Sequence, residues 1–146
     1  MTDTRERVLV IARRWIGTPY RHQGSTEGVG CDCLGLVRGI WRELYGDEPE
    51  TAPPYAPDWA ERPGEERLLS TAARHFRPLS GFGEAEPGDL LLFRFRPQFS
   101  VKHAGILDED GYFIHAYEQA GVIRAALVQG YRRRVAGCYQ FPEPSI

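Results

Sequence analysis

One cysteine in this sequence has the surroundings of a catalytic nucleophile. Cys33 follows a glycine-rich loop over residues 20–30 and begins a segment whose apolar residues recur at helical spacing. At a helix N-terminus, the unpaired backbone N–H groups and the helix dipole favour the thiolate, which is the nucleophilic form. The same N–H groups can donate to a developing oxyanion. The alternative is a small buried apolar residue, the usual state of a free cysteine.

Two of the four histidines supply the base that such a nucleophile requires and a group to orient that base. His103 and His115 lie on neighbouring predicted strands, with a hairpin turn predicted at Asp108–Gly111 between them. Folding the chain about this turn brings the two imidazoles close together if they share a face of the sheet. Taken singly, each histidine is more typical of a core or surface residue. With Cys33, they predict a nucleophile, its base and an orienting group.

Helices are predicted to position the cysteine. Apolar periodicity indicates one helix over residues 5–16, a second from Cys33 to a C-cap at Gly46, and a third over residues 65–76. The proline-rich segment Pro49–Pro63 has no such periodicity, so it is predicted to run irregularly over the surface. It serves either as a docking surface for a partner or as a covering loop.

Strands are predicted to position the histidines. Five short segments separated by turn signals cover Leu90–Phe95 and residues 101–107, 111–117, 121–128 and 134–141. Because their connections are short, these strands are predicted to form an antiparallel meander. Helices followed by strands indicate an α+β fold, and not a parallel doubly wound sheet.

The bulk composition fits one globular domain covering residues 1–146. The 18 basic and 20 acidic residues give a net charge of −2, which argues against a nucleic-acid partner. No stretch approaches the ~20 apolar residues that span a bilayer. The polar N-terminus has no apolar core of signal-peptide length, so synthesis in the cytoplasm without a signal peptide is expected. Three cysteines do not predict a disulfide framework, and Cys31 and Cys138 are interpreted as packing residues.

Several short motifs occur together in a specific order. These are GTPY at 17–20, DCLGLV at 32–37, PGDL at 87–90, HAGI at 103–106 and FIHA at 113–116. Each is weak alone, but the ordered set resembles the NlpC-type cell-wall cysteine peptidases from about Val8 to Phe141. Within that family, residues 17–37 are most similar to the peptidases of phage and gene-transfer-agent tail modules.

The resemblance implies a papain-like fold, in which N-terminal helices pack on a five- to six-stranded antiparallel sheet. It implies Cys33 as the nucleophile, His103 as the general base and acid, and His115 as the third polar member, with no metal and no cofactor. Tyr20 and Asp32 match family residues that contact the substrate or the oxyanion. For Tyr20, an aromatic plug at the start of the loop is the alternative.

The substrate implied by the resemblance is the stem peptide of peptidoglycan. The implied reaction is hydrolysis of the bond between D-glutamate and the diamino acid. Leu34 replaces a serine that helps to bind a free amine in relatives that trim released muropeptides, and this departure fits action on intact wall. The resemblance also implies phage-like tail or tail-tip proteins as partners. A tail-associated protein acting on the wall in the periplasm is therefore expected.

Other functions stay open from the sequence. A zinc site built from Cys31, Cys33, His103 and His115 has suitable ligand types, although the spacing matches no common zinc framework. A structural tail component with a vestigial triad is a second alternative. A third is an amidase or transpeptidase that uses the same thiol chemistry on a different bond or acceptor.

Overall fold

The computed structural model describes residues 3–49 and 66–144, so the predicted irregular segment after Pro49 lies outside the described residues. In chain order the elements are α1 (Thr4–Trp15), β1 (Ser25–Thr26), β2 (Gly30–Cys31), α2 (Cys33–Tyr45), α3 (Arg67–His75), β3 (Arg77–Pro78), β4 (Leu90–Phe93), β5 (His103–Leu107), β6 (Tyr112–Tyr117), β7 (Gly121–Ala126), α4 (Gln129–Arg132) and β8 (Val135–Gln140). Helices therefore pack on an antiparallel sheet, and the α+β prediction is confirmed.

The main sheet has six strands in the order β3-β8-β4-β5-β6-β7, and every pair is antiparallel. Strands β4 to β7 form the predicted meander. The prediction is wrong for β8, which pairs with β4 and not with β7. The edge of β4 that does not pair with β5 is available to β8. The connection from β7 to β8 contains α4 and returns the chain to that edge. The histidine strands β5 and β6 are thereby interior strands of the sheet.

Both faces of the sheet are buried. The larger cluster lies between the sheet and the helices and includes Val8 and Trp15 of α1, Leu36 and Ile40 of α2, and Ile106 of β5. A smaller cluster covers the opposite face and contains Leu91, Phe93, Leu107, Phe113, Leu127 and Cys138. Alternate residues of β5 and β6 serve these two clusters, as the two-residue period of a strand requires.

Helices α1 and α2 cross at a glycine. A Cβ atom built on Gly39 would lie 2.2 Å from the Trp15 ring, so α1 and α2 approach each other over a position without a side chain. Asp32 caps the start of α2 by accepting a hydrogen bond from the Gly35 N–H at 2.8 Å. The crossing and the cap together fix where α2 begins, and Cys33 is its first residue.

The PGDL motif joins α1 to the start of β4. Gly88 has a φ of +99°, and a Cβ atom there would lie 2.4 Å from the Arg5 carbonyl oxygen, so a side chain is excluded by space and by conformation. The neighbouring Asp89 is buried and accepts two hydrogen bonds from the Arg5 guanidinium, at 2.9 and 3.1 Å. The motif is therefore structural in this chain, and it sets the position of β4 against the helices.

Candidate active site

The thiol of Cys33 lies against the first residues of β5. Its sulfur is 3.6 Å from the Lys102 carbonyl oxygen, and the backbone N–H groups of Ala104, Leu34 and Cys33 itself are directed at it. The residues on either side of His103 thus contact the sulfur. This packing brings the helix that carries the thiol and the strand that carries the imidazole to one place.

The pKa of the Cys33 thiol is set by opposing influences. Burial raises the pKa of the Cys33 thiol to about 12, and the nearby Asp32 charge acts in the same direction. The three backbone N–H groups lower this pKa, as expected at a helix N-terminus, but burial outweighs them. Burial and the Asp32 charge thus oppose the thiolate that the helix N-terminus favours. The thiol must pass its proton to a base when it attacks.

The two imidazoles are directly hydrogen-bonded, which confirms their predicted proximity. His103 Nε2 and His115 Nδ1 are 2.8 Å apart, with the ring planes at 84°. Strands β5 and β6 pair through Ile106 with Ile114 and through Leu107 with Phe113. In this register, the two histidines share a face and are diagonal neighbours across the strand pair.

A glycine makes room for this contact. A Cβ atom on Gly105 would lie 2.9 Å from the Phe113 ring and 3.3 Å from the His115 Cβ. The Phe113 ring in turn stacks on the His115 ring at a centroid distance of 4.2 Å and an angle of 19°. Phe113 therefore holds the plane of the His115 ring, and Gly105 leaves the space in which it does so.

Both imidazoles are neutral in the free protein. Burial lowers the pKa of His103 to about 3, and burial lowers the pKa of His115 to about 4. Repulsion from Lys102, and from His115 whenever that ring is protonated, acts on His103 in the same direction. One proton is shared along the hydrogen bond between the rings. If His103 Nε2–H is the donor, His103 Nδ1 keeps a free lone pair and is the nitrogen left to take the thiol proton. In the other tautomer, Nδ1 carries a proton and cannot act as a base.

The second nitrogen of His115 is buried. Within residues 3–49 and 66–144, His115 Nε2 has no hydrogen-bond partner, and 1% of the residue is exposed. The aromatic rings of Tyr131 and Tyr117 lie near it, with centroids 5.8 and 6.0 Å from that of His115. Burial keeps water away from His115 Nε2, on the side of the histidine pair remote from the thiol. Proton transfer by the pair is therefore directed towards Cys33.

Cys33, His103 and His115 line one cleft of about 300 Å³ together with Tyr20 and Asp32. The backbone of Tyr20 forms an isolated parallel β-bridge with Cys31, and the Cys31 N–H donates to the Pro19 carbonyl oxygen at 3.0 Å. The structure thus brings together all five residues that the sequence singled out. Their chemical roles stay predictions.

Comparison with known proteins decides the family. Residues 17–138 match the NlpC/P60 family. The chain belongs to the NlpC/P60 family. It is 30% identical over 117 residues to the probable endopeptidase NlpC of Escherichia coli K12, a match that covers 80% of this chain and 64% of that protein. It is 29% identical to the gamma-DL-glutamyl hydrolase of Bacillus subtilis 168, over 95% of this chain and 30% of that protein.

Solved NlpC/P60 structures share the fold. NlpC2 from Trichomonas vaginalis superposes with a TM-score of 0.72 at 18% sequence identity, covering 97% of this chain and 47% of that one. The predicted NlpC-type fold is thereby confirmed. The chain spans less than two thirds of the length of the curated relatives described above. The assignment of residues 1–146 to one domain stays a prediction.

Asp32 of this NlpC/P60 chain has a structural role besides any role in binding. Its Oδ1 accepts from the Gly35 N–H at 2.8 Å and its Oδ2 accepts from the Gln23 N–H at 2.7 Å, which ties the loop to the helix start. The residue is 3% exposed. Leu34 also lines the cleft, so an apolar side chain stands beside the thiol.

Sequence reasoning missed several residues of the site. Lys102, Glu118 and Tyr131 all line the cleft, yet none belongs to a motif or a periodic pattern. The glycine of HAGI was the one available signal for the packing around the histidines, because a glycine inside a strand indicates a close approach.

The donor set of the alternative zinc site is not assembled. Among residues 3–49 and 66–144, no three histidine, cysteine or acidic side chains form a group that could hold a metal ion. Cys31, the last residue of β2, is fully buried, and Cys33 lines the cleft. In the part of the chain that is described, no helix is long and apolar enough to cross a membrane.

Proposed function

We propose that the protein is a cysteine peptidase that hydrolyses peptide bonds of peptidoglycan. One observation carries this proposal: a thiol at a helix start shares a cleft with two hydrogen-bonded imidazoles, 2.8 Å apart, that are buried and neutral. Membership of the NlpC/P60 family supports it, as do the names of the relatives, an endopeptidase and a glutamyl hydrolase.

In the proposed reaction, His103 Nδ1 takes the thiol proton as the sulfur attacks the scissile carbonyl carbon. The N–H groups at the start of α2 then donate to the oxyanion, with Tyr20 beside them. The imidazolium gives its proton to the leaving amine, and the C–N bond breaks to leave a thioester. Water, deprotonated by His103, releases the carboxylic acid and restores the thiol. Asp32 maintains the loop and the helix start throughout.

We further propose the bond between D-glutamate and the diamino acid of the stem peptide as the one that is cut. The name of the Bacillus subtilis relative, a gamma-DL-glutamyl hydrolase, supports a γ-linked glutamyl substrate. A cleft of about 300 Å³ has the size to hold a short peptide segment.

We also propose that the protein acts on the wall in the periplasm as part of a phage-like or gene-transfer-agent tail. This rests on the similarity of residues 17–37 to the peptidases of such tails. Mass analysis of purified tail particles tests it: the chain should be present in stoichiometric amount. Its absence from particles that assemble normally contradicts the proposal.

The activity is tested by mass analysis of fragments released from defined muropeptides. Cys33→Ala should abolish cleavage while the circular dichroism spectrum and the unfolding midpoint stay close to those of the wild type. Cys138→Ala is the matched control, because Cys138 does not line the cleft, and it should keep its activity. Cleavage by Cys33→Ala at the wild-type rate would exclude the assignment. Release of an intact stem peptide from the glycan would instead indicate an amidase.

A further inference from the structure

The connection between β4 and β5 leads the chain directly into His103. It covers residues 94–102, and its last residue, Lys102, places its carbonyl oxygen 3.6 Å from the Cys33 sulfur. Phe95, near its start, lines the cleft. The conformation of this connection therefore helps to determine where the imidazole and the thiol meet.

A carboxylate that does not line the cleft holds this connection near both of its ends. Glu66 Oε1 accepts a hydrogen bond from the Val101 N–H at 3.0 Å, and Glu66 Oε2 forms an ion pair with the Arg94 guanidinium at 2.6 Å. The Arg94 guanidinium also donates to the Phe99 carbonyl oxygen at 2.7 Å. Glu66 and Arg94 thus bridge the first residue of the connection and the residue two positions before His103.

The contact with Val101 satisfies a buried backbone group. Val101 is fully buried and belongs to the cluster between the sheet and the helices. A buried N–H group that loses its partner is costly, so without the Glu66 oxygen this part of the connection should turn to find another acceptor. The Lys102 carbonyl group and His103 follow directly along the chain, so they would be displaced with it.

The start of α3 does not explain why a glutamate stands at position 66. Glu66 is the N-cap residue of α3 (Arg67–His75), yet its side chain makes no capping hydrogen bond to that helix. Serine, threonine, aspartate and asparagine are the side chains that cap helices well. The carboxylate is directed at the β4–β5 connection instead. Glu66 therefore acts on the chain that precedes His103.

We propose that Glu66 is a positioning residue for the catalytic centre. With Arg94, it fixes the β4–β5 connection and thereby sets the position of His103 against the Cys33 thiol. A misplacement of about 1 Å can lower the rate of an enzyme roughly 100-fold, so loss of this contact should lower turnover although Glu66 does not touch the reacting atoms. This inference rests on the proposed peptidase function and adds to it a residue at the start of α3.

The test compares Glu66→Ala, Glu66→Gln and Glu43→Ala in steady-state cleavage of a defined muropeptide. Glu66→Ala should lower kcat by roughly tenfold or more, with KM changed by less than about threefold, because the cleft lining outside the connection is kept. Glu66→Gln should recover at least about threefold of that loss, since its amide oxygen can still accept from the Val101 N–H.

Glu43→Ala is the matched control. The Glu43 side chain is 40% exposed, against 37% for Glu66, and it also pairs with an arginine of another segment, Arg14 on α1. It contacts neither the cleft nor the β4–β5 connection in the described residues. This variant loses an ion pair of the same kind, so it should keep the kcat of the wild type.

Alkylation of Cys33 by iodoacetamide tests the inference without any peptidase activity. The other two cysteines are buried, and peptide mapping by mass spectrometry identifies the labelled thiol. The thiol reacts as the thiolate, and His103 is the base that takes its proton. The alkylation rate at pH 7 should therefore fall roughly tenfold in Glu66→Ala, recover in part in Glu66→Gln and stay unchanged in Glu43→Ala.

A kcat of Glu66→Ala within about threefold of the wild type would overturn the inference, as would a loss that Glu66→Gln does not reduce. If the wild type cleaves no muropeptide, the proposed function fails and the alkylation rates decide the inference alone. Equal alkylation rates in the wild type and Glu66→Ala would then contradict it.

Circular dichroism checks the fold of each variant, and Arg94→Lys replaces Glu66→Ala if that protein does not fold. Lysine keeps the charge but has no planar fork with which to bond Glu66 and the Phe99 carbonyl oxygen together. The kcat and the alkylation rate of Arg94→Lys should fall by at least about threefold. Wild-type values for both would count against the positioning role.

Discussion

At the scale of single residues, the hydrogen bond between His103 and His115 determines which ring nitrogen can act. His103 Nε2 is engaged with His115 Nδ1 at 2.8 Å, so Nδ1 of His103 is the nitrogen left for the thiol. In the tautomer in which His103 Nε2–H is the donor, His115 contributes an acceptor at its δ position, held in plane by the stacked Phe113 ring. Any side chain with an acceptor at that position should partly replace it. A side chain without one should not.

We expect His115→Asn and His115→Leu to separate these cases. The asparagine Oδ1 atom occupies the same position along the side chain as His115 Nδ1, so it can accept from His103 Nε2–H, whereas leucine offers only a methyl group. His115→Leu should lower kcat by roughly 10²- to 10⁴-fold, and His115→Asn should lose at least tenfold less. Steady-state kinetics on a defined muropeptide gives both values.

Circular dichroism of the two His115 variants serves as the control for folding. Full activity of His115→Leu would show that His103 needs no orienting partner. Equal, near-complete loss in both variants would show that the acceptor alone does not explain the role of His115.

At the scale of elements, long periodic segments were predictable and short or solitary features were not. The apolar stripe of α2 and the turn at Asp108–Gly111 predicted the helix start at Cys33 and the pairing of β5 with β6, and both occur. Strands β1 to β3 have two residues each, too few for a periodic pattern, and the β1–β2 pair lies in the segment predicted as a loop. The placement of β8 beside β4 depends on an open sheet edge, which no local pattern encodes.

The residues of the site also divide into those predictable from a local pattern and those placed by tertiary packing. The motif residues were predictable because helix position and strand period limit where their side chains can lie. Glu118 could not be predicted, since it reaches the cleft through the packing of a turn on the Thr18 carbonyl group. The raised pKa of Cys33 could not be predicted for a related reason: the helix N-terminus is local, but the burial that outweighs it is a property of the assembled fold.

The crossing of α1 and α2 gives a prediction at the same scale. In a solvent-exposed helix, replacing glycine by alanine stabilises by about 1 kcal/mol. At Gly39 the new methyl group would lie 2.2 Å from the Trp15 ring. Either the ring must shift or the two helices must move apart. We therefore expect Gly39→Ala to lower the free energy of unfolding by about 1–3 kcal/mol, measured by urea denaturation.

Gly83→Ala is the matched control for that substitution. Gly83 lies in the 3-10 turn at Phe82–Glu84, and a Cβ atom there would meet nothing within 4 Å. Its free energy of unfolding should change by no more than about 0.5 kcal/mol. A Gly39→Ala protein as stable as the wild type would mean that the helices do not depend on this close contact.

At the scale of the whole molecule, the catalytic pair belongs to the core. His103 packs near Phe93 and Phe95, and His115 packs near Phe113 and Tyr131, so both imidazoles are part of the aromatic layer on the sheet face opposite α1 and α2. Burial keeps them neutral, which a general base requires. The same burial makes the stability of the fold depend on their remaining neutral.

The stability of the protein should therefore fall as the pH drops below the ordinary histidine pKa of 6.5 towards the folded values of about 4 for His115 and about 3 for His103. In this window the unfolded chain binds protons that the native state does not, so acid favours unfolding, by up to about 1.4 kcal/mol per pH unit for each histidine. Above pH 6.5 both histidines are neutral in both states and contribute no slope. Urea denaturation between pH 8 and pH 5 should show this profile for the wild type.

His115→Asn removes one of the two groups, so its slope should be smaller by about 0.7 kcal/mol per pH unit at pH 6.5, rising towards about 1.4 kcal/mol per pH unit at pH 5, with little change of slope above pH 7.5. Ending the range at pH 5 keeps the ordinary carboxylate titrations out of the comparison, since the unfolded pKa values of aspartate and glutamate lie near 4. The two proteins are compared at equal ionic strength. Identical slopes would show that His115 takes up a proton in the native state as readily as in the unfolded chain, and its burial would then carry no energetic penalty.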